Sequence, residues 1–118
     1  MKSLISGAIV ALALTAGAQA QPWGAIAYSQ STGASGSSYG WDYQSDAEAT
    51  AYSGCADYAN DCEIAVYFDN ACGAVAVGAN GGWGADWGND EYSASSSAVS
   101  QCNGYDSGCE VHTWQCSY

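Results

Sequence analysis

The chain has 118 residues, 12 acidic side chains and a single Lys or Arg, Lys2, which gives a formal charge of −11. All acidic residues lie beyond residue 20, so the chain after that point carries −12 without a compensating cation. A surface of this charge cannot neutralise phosphates, which argues against nucleic acids and anionic membranes as partners and favours basic proteins or cationic peptides.

Residues 1–20 have the pattern of a signal peptide. Lys2 forms the positive start, Leu4–Ala18 the apolar region, and Ala18-Gln19-Ala20 the cleavage site. The apolar run is short for a bilayer span, and no cysteine follows the cleavage site, so we expect neither a membrane span nor a lipoprotein. The sequence therefore predicts a secreted or periplasmic protein with residues 21–118 as one small domain.

The first half of that domain, about residues 23–69, carries three strand patterns. Trp23–Tyr28 and Tyr39–Tyr43 are predicted strands, joined by a Ser- and Gly-rich loop over residues 29–38. The segment Cys62–Phe68 predicts a third strand, because Ile64, Val66 and Phe68 alternate with Glu63, Ala65 and Tyr67.

Two Ala-rich segments have the four-residue spacing of a buried helix stripe. Ser45 followed by Glu48 is a capping-box signal that predicts the start of the first helix. The second helix is predicted from about Asp90 to Cys102. Small residues at this spacing give a helix a narrow buried face. They are Ala47, Ala51 and Cys55 in the first helix and Ala94, Ala98 and Cys102 in the second.

The second half, about residues 70–118, repeats the pattern of the first. Its segment CGAVAV matches WGAIAY of the first half, and an Asn-Gly-Gly sequence predicts a tighter hairpin. The predicted elements are the strands Cys72–Val77, Trp83–Gly88 and Cys109–Cys116 and the hairpin Asn80-Gly81-Gly82.

Cysteine spacing supports the repeat. Six residues separate Cys55 from Cys62, six also separate Cys102 from Cys109, and the shift between the two pairs is 47 residues. A joint match of spacing, turn and cysteine position is hard to obtain by chance.

A family resemblance rests on four segments, GAIAY, ACGAVAV, CEIAVYF and CEVHTWQC, together with two helices that end in Cys55 and Cys102. With these features the chain resembles the exported bacterial domain-of-unknown-function family 4189, from about Trp23 to Cys116. The resemblance implies a small exported six-cysteine domain, and it supplies no activity and no catalytic residues.

Six cysteines in a short exported chain indicate three disulfides, although spacing alone allows 15 pairings. In a strand-strand-helix-strand unit the third strand runs antiparallel to the first, which brings Cys72 beside Cys116. Cys55–Cys62 and Cys102–Cys109 remain as matching helix-to-strand bonds. The predicted fold is therefore α+β, a tandem strand-strand-helix-strand repeat with an antiparallel-rich sheet, two helices and three disulfides.

Side-chain alternation also predicts which face of each strand meets the helices. We expect the larger side chains to face the helices, which leaves an alanine-rich face to pack against the other half or a partner. The expected helix-facing residues are Ile26, Tyr28, Ile64, Val66, Phe68, Val75, Val77, Val111 and Thr113. The expected opposite face carries Ala25, Ala27, Ala65, Tyr67, Ala74, Ala76, His112 and Trp114.

The sequence shows no catalytic or metal-binding constellation. His112 is the one histidine, and no Lys or Arg after residue 20 could hold an oxyanion. Carboxylate pairs such as Asp57/Asp61 and Asp86/Asp90 are expected by composition in so acidic a chain. There is no CxxC pair, and the oxygen-rich segment near Asp90 does not fit a calcium-binding loop. We expect no enzyme activity, no metal and no cofactor.

The favoured interpretation is an exported binding module, inhibitor-like, whose target is a basic protein or a cationic peptide. The first alternative is a carbohydrate-binding module that uses exposed tryptophans to bind a glycan. The second is a small hydrolase that uses His112. The candidate ligand-binding residues are Trp41, Trp83, Trp87, Tyr67, His112 and Trp114.

Overall fold

Strand, strand, helix and strand follow one another twice in the computed structural model, which describes residues 21–118. The first unit contains β1 (Trp23–Tyr28), β2 (Ser35–Trp41), α1 (Gln44–Ala56) and β3 (Glu63–Asp69). The second contains β4 (Ala71–Val77), β5 (Trp83–Gly88), α2 (Glu91–Asn103) and β6 (Glu110–Ser117). The α+β class predicted from the sequence is confirmed. The predicted signal peptide lies outside the described residues.

Each unit forms its own antiparallel sheet of three strands. The strand order is β2-β1-β3 in the first sheet and β5-β4-β6 in the second, so the first strand of each unit lies in the centre. Asn70 alone connects β3 to β4, in a left-handed conformation with a φ of 52°. This single-residue link passes the chain from one sheet directly to the other.

The sheets pack face to face, and one helix covers the outer face of each. Between α1 and its sheet lies a cluster that includes Ala25, Ala27 and Ala51. The equivalent cluster under α2 is also built from alanines and cysteines. A third cluster lies between the two sheets and holds the large apolar side chains, namely Ile26, Tyr28, Val66, Phe68 and Val75. The order of layers is therefore helix, sheet, sheet, helix.

This layering shows that the predicted assignment of strand faces was wrong. Of the residues predicted to face the helices, Ile64 packs toward α1, whereas six pack in the cluster between the sheets, namely Ile26, Tyr28, Val66, Phe68, Val75 and Val77. Four alanines predicted for the opposite face pack against the helices instead, namely Ala25, Ala27, Ala74 and Ala76. Alanine on the strand and alanine on the helix let the two backbones approach closely. A Cβ atom at Gly36 would overlap the backbone of α1 at Ala51, and one at Gly84 would overlap α2 at Cys102. Larger side chains fill the wider space between the sheets, which pack about 10 Å apart.

A β-bulge interrupts the alternation at the same position of each unit. In the first sheet Ile26 pairs with Val66 and Ala27 with Ile64, which leaves Ala65 unpaired. In the second sheet His112 is unpaired in the same way. Positions 65 and 112 differ by the same 47 residues as the cysteine pairs. The bulge explains why Ile64 and Val66 lie on opposite faces although they are two residues apart.

Helix starts differ between the units. The capping box predicted at Ser45 is wrong, because α1 begins at Gln44 after Tyr43, whose side chain makes no capping bond. In α2 the Asp90 carboxylate accepts a hydrogen bond from the Ser93 backbone N–H, and the Ser93 hydroxyl completes a capping box. The second strand also begins earlier than predicted, at Ser35.

Three disulfides join Cys55 to Cys62, Cys72 to Cys116 and Cys102 to Cys109, the same pairs that the strand directions predict. Cys72 and Cys116 face each other across β4 and β6. The other two bonds each tie the end of a helix to the following strand. Three closed disulfides are typical of an oxidising, non-cytoplasmic compartment. No helix within residues 21–118 is long and apolar enough to cross a membrane.

Candidate functional site

A cleft opens along one side of the sandwich, between the edges of β3 and β5. Its first recess has a volume of about 380 Å³. Three aromatic rings, Trp23, Tyr67 and Trp87, line this recess, and Val66 and Phe68 from the inter-sheet cluster lie at its base. The recess thus borders the apolar layer between the sheets.

A second recess of about 470 Å³ continues the cleft toward the β4–β5 hairpin. Both recesses share Ala65 and Ala85, so the two form one elongated surface. Trp83 and Tyr105 line the second recess. Besides the buried Phe68, five aromatic rings therefore line the cleft over its length.

The rings of the cleft are open to a ligand to different degrees. Trp87 and Tyr67 lie on strands of the sandwich, and their side chains are 56% and 50% exposed. The ring centroids of Trp23 and Tyr67 are 6.3 Å apart with the ring planes tilted by 45°, and this pair is called the Trp23–Tyr67 platform. Trp83 is less exposed because its ring packs against Tyr28, with the centroids 5.4 Å apart.

Two carboxylates lie among these rings. Asp69 ends β3 and is exposed, and Asp86 stands next to Trp87 on β5. The Asp86 carboxylate accepts a hydrogen bond of 2.8 Å from the Trp87 backbone N–H, and it lies 3.5 Å from the Gln101 amide nitrogen. Residues 21–118 contain no Lys or Arg. No basic side chain therefore neutralises either carboxylate, and the electrostatic potential of the cleft is negative.

The opposite side of the sandwich, between β2 and β6, is closed by hydrogen bonds. The Gly40 backbone N–H donates to the Ser117 hydroxyl at 3.0 Å, and the Ser37 hydroxyl lies 3.4 Å from the Gln115 amide oxygen. His112 adds a contact of 2.8 Å between its Nε2 and the Gly33 carbonyl oxygen. Its ring also meets Tyr28 edge to face.

Ala65 explains part of the difference between the two sides. It occupies the bulge of the first unit, where the second unit has His112. Because a methyl group cannot reach the opposite sheet as an imidazole does, the space remains open as the junction of the two recesses. The Gly81 carbonyl, at the position equivalent to Gly33, instead accepts a hydrogen bond from Gln30 at 3.1 Å.

An aspartate in each unit fixes the hairpin loop beside these edges. Asp106 accepts hydrogen bonds of 2.9 and 2.8 Å from the backbone N–H groups of Asn80 and Gly82. Asp61 accepts from the Ser29 hydroxyl and the Ser31 backbone N–H. Hydrogen bonds to the ionised form lower the pKa of Asp106, chiefly from the Ser107 backbone, and of Asp61, chiefly from the Ser29 hydroxyl.

The structure brings three of the six predicted ligand-binding residues into the cleft, namely Trp83, Trp87 and Tyr67. Trp114 and His112 line neither recess. Trp41 lies at the far end of β2, where it lines a separate recess of about 400 Å³ with Tyr39 and Tyr43.

Sequence reasoning missed four residues of the cleft. Trp23 was assigned only to a strand, and Tyr105 lies in the loop after α2. The sequence prediction places Asp69 only at the end of the first unit and Asp86 only in a carboxylate pair expected by composition. The signal that could have found them is the position of Asp69 and Asp86 next to strand aromatics, in the segments YFD and ADW.

One member of each carboxylate pair named from the sequence, Asp57/Asp61 and Asp86/Asp90, makes hydrogen bonds that hold a loop or a helix start. Asp61 holds the β1–β2 loop. The Asp90 pKa is lowered because its carboxylate accepts hydrogen bonds from the Ser93 backbone and hydroxyl at the start of α2. Within residues 21–118, no cluster of three His, Cys, Asp or Glu side chains is arranged to hold a metal ion.

Comparison with known proteins supports the fold and leaves the ligand open. The family model described as Domain of unknown function (DUF4189) matches residues 23–116. The chain is also similar to the NMR structure of Rv1813c from Mycobacterium tuberculosis, with a TM-score of 0.56 and 23% identity, over 98% of this chain and 90% of that one. At this identity the likeness shows the fold alone. No curated protein matches the chain.

Proposed function

The chain belongs to the DUF4189 family, a domain of unknown function, and we propose that it is an exported, non-catalytic module that binds a cationic segment of a partner protein. The binding site is the cleft between β3 and β5. Export to the periplasm or the medium agrees with the three disulfides and with the signal-peptide pattern of residues 1–20.

One observation carries this proposal: exposed aromatic rings stand beside carboxylates that no basic side chain neutralises, in an open cleft. A Lys or Arg side chain placed over Trp87 would gain a cation–π contact with the ring and a Coulomb attraction to Asp86. At the other end of the recess, Asp69 lies close to the Trp23–Tyr67 platform. Each end of the recess thus offers a cationic side chain an aromatic ring and a carboxylate.

The overall charge adds a long-range contribution. The described residues carry twelve acidic side chains and no Lys or Arg, so the net charge attracts a basic partner. Electrostatic attraction of this kind raises the association rate and weakens as salt is added. Binding should therefore be salt-sensitive, which separates it from purely apolar association.

The contacts of His112 favour a binding function over a hydrolase. Its Nε2 is engaged by the Gly33 carbonyl, and within the described residues no carboxylate stands at hydrogen-bonding distance to orient the ring. A histidine that acts as a general base needs such an orienting partner and a substrate site next to it. His112 lines none of the recesses of the cleft.

The test is a titration of the disulfide-intact protein with a fluorescein-labelled peptide of alternating lysine and valine, followed by fluorescence anisotropy. We expect binding that weakens with salt, and about a fivefold to tenfold loss in Trp87→Ala, which corresponds to about 1–1.4 kcal/mol. Asp86→Asn should weaken binding and reduce the salt dependence.

Trp114→Ala is the matched control, because Trp114 is similarly exposed and lines neither recess. Its affinity should equal that of the unmodified protein. Equal losses in Trp114→Ala and Trp87→Ala, or equal binding of a peptide with glutamate in place of lysine, would refute the cleft as a cation-binding site.

A glycan is the second candidate ligand, favoured by the separate recess at Trp41. Tyr39 and Tyr43 are both 66% exposed there, and Asp42 and Asp46 stand beside them. Flat rings with adjacent carboxylates suit the apolar faces and hydroxyl groups of sugars. Titration with soluble oligosaccharides should then quench tryptophan fluorescence in the unmodified protein and not in Trp41→Ala.

A further inference from the structure

We propose that the cationic segment binds as an added β-strand on the free edge of β3. This inference rests on the proposed function and specifies its geometry. The ligand would continue the first sheet, so that main-chain hydrogen bonds supply affinity while its side chains are read on both faces of the strand.

The residues that line the first recess indicate this geometry. They include Ala65 to Asp69 without interruption, and also the consecutive residues Ala85, Asp86 and Trp87 of β5. Successive side chains of a strand point to opposite faces, so a groove on one face would be lined by alternate residues only. A groove lined by consecutive residues runs along the edge of the strand, where the main chain itself is accessible.

The edge of β3 has hydrogen-bonding groups to offer. In the order β2-β1-β3, this strand pairs on one side only, with β1. Every second residue of an antiparallel edge strand directs its N–H and C=O outward. These groups open toward the recess along Val66–Asp69, the part of β3 beyond the bulge at Ala65.

The β2 edge, on the other side of the sandwich, is less suited to strand addition. There, side-chain bonds connect β2 to β6, including Gly40 to Ser117 and Ser37 to Gln115. An incoming strand would have to displace them. In addition, β2 is interrupted by the left-handed Gly40, whose φ is 79°. The β3 edge therefore is the better template for a new strand.

The negative charge of the chain favours a basic strand as the ligand of this edge. Edge strands are commonly protected from self-pairing by lysine or proline, and β3 contains neither. A second copy of this chain would bring only further carboxylates, because residues 21–118 hold no Lys or Arg. A strand with basic side chains meets no such repulsion. Alternate side chains would lie toward Trp87 on one face and toward the Trp23–Tyr67 platform on the other, with Asp86 at the edge of β5 and Asp69 at the end of β3 as the nearby carboxylates.

Two N-methylated peptides test strand addition directly. The probe is a seven-residue peptide of alternating lysine and valine, which matches the seven residues of β3. One derivative is N-methylated at its odd positions and the other at its even positions. Because a strand uses the N–H groups of one edge only, one derivative should bind about as tightly as the parent peptide. The other should lose at least about tenfold.

Amide hydrogen exchange supplies the second readout. Binding of the parent peptide should slow exchange in Val66–Asp69 and leave β2 unchanged. If the parent peptide binds but both derivatives bind equally well, or both lose affinity equally, strand addition is refuted while the proposed function stands. If the parent peptide shows no salt-sensitive binding, the proposed function itself fails.

Discussion

The two sides of the sandwich are equivalent in the repeat and opposite in character. β2 and β6 form one side, β3 and β5 the other, and exchange of the two units would interconvert them. On the β2–β6 side, hydrogen bonds and His112 close the gap between the sheets. On the β3–β5 side, Ala65 leaves an aromatic and acidic cleft.

This difference shows how one repeat can supply both stability and a site. A few sequence differences at equivalent positions are enough to make the two sides unlike. The first unit has Ala65 and Phe68 where the second has His112 and Gln115. The second unit also carries the Cys72–Cys116 bond, whereas the equivalent strand ends in the first unit are Trp23 and Asp69. The first unit thus has a lining residue and a carboxylate of the cleft where the second has a covalent bond.

Loss of the Cys72–Cys116 bond should have the largest effect on stability. In the chain-entropy model a bond that spans 44 residues contributes about 4 kcal/mol, and one that spans 7 about 2.4 kcal/mol. We expect Cys72→Ala with Cys116→Ala to lower the free energy of unfolding by the larger amount, and Cys55→Ala with Cys62→Ala by the smaller. Guanidinium denaturation measures both. Equal losses of unfolding free energy in the two double variants would contradict this ranking of the two disulfides.

Phe68→Ala should be the next largest change. Phe68 is 3% exposed and lies in the cluster between the sheets, so the truncation leaves a cavity that costs about 3 kcal/mol. Gln115→Ala is the control at the equivalent position. Its side chain makes a long contact to the Ser37 hydroxyl and donates a hydrogen bond to the neighbouring Cys116 carbonyl without filling the core, so we expect a loss of about 0.5 kcal/mol. Thermal unfolding should show the same ranking, and a reversed ranking would refute this comparison of the two sides.

Exchange of the bulge residues should change the two sides in opposite ways. His112→Ala removes the contact to Gly33 and should cost about 1 kcal/mol without altering peptide affinity. Ala65→His should fill the junction of the recesses and weaken binding of the lysine–valine peptide about tenfold. Denaturation and anisotropy measure the two effects. Undiminished affinity in Ala65→His would show that the junction is not part of the site.

The smallest expected effect is on the stability of the fold at acidic pH. The pKa values of Asp61 and Asp106 are lowered in the folded state below their ordinary value of 3.8. Their contribution to stability is therefore present above about pH 4 and is lost as the pH falls through the folded pKa. Asp61→Asn and Asp106→Asn should each flatten the dependence of Tm on pH below about pH 4.

Peptide binding distinguishes the two aspartates. Asp106 holds the hairpin beside Trp83 in the cleft, and Asp61 holds the equivalent loop of the first unit. Asp106→Asn should therefore weaken the peptide complex more than Asp61→Asn does at neutral pH. The same loss in both variants would indicate a general charge effect.

Much of the fold could be predicted because its signals are local. The strands Trp23–Tyr28 and Trp83–Gly88 occur as predicted, and the buried stripes of both helices follow the four-residue spacing. The family resemblance read from four short segments is confirmed by the match over residues 23–116. The start of α1 was missed because Ser45 lies inside the first turn, where its hydroxyl does not cap the helix.

The site was less predictable because its residues are distant in sequence. Exposed tryptophans could be proposed, yet nothing local distinguishes Trp87, in the cleft, from Trp114, outside it. The role of Ala65 depends on a bulge, which arises from pairing with β1 and leaves no mark in the strand itself. Asp69 and Asp86 become neighbours of one recess only when the two sheets are stacked.

The sequence by itself determined the repeat, the three disulfide pairs, the acidic surface and the class of fold. These properties depend on composition, on periods of two and four residues, and on the direction of successive strands. Only the tertiary structure decided that Ala25, Ala27, Ala74 and Ala76 face the helices and that most of the large strand side chains face the other sheet. It also decided that one side of the sandwich stays open. Both outcomes depend on the distance between packed layers: helices lie close to a sheet lined by small residues, and two sheets leave room that Phe68 fills and Ala65 does not.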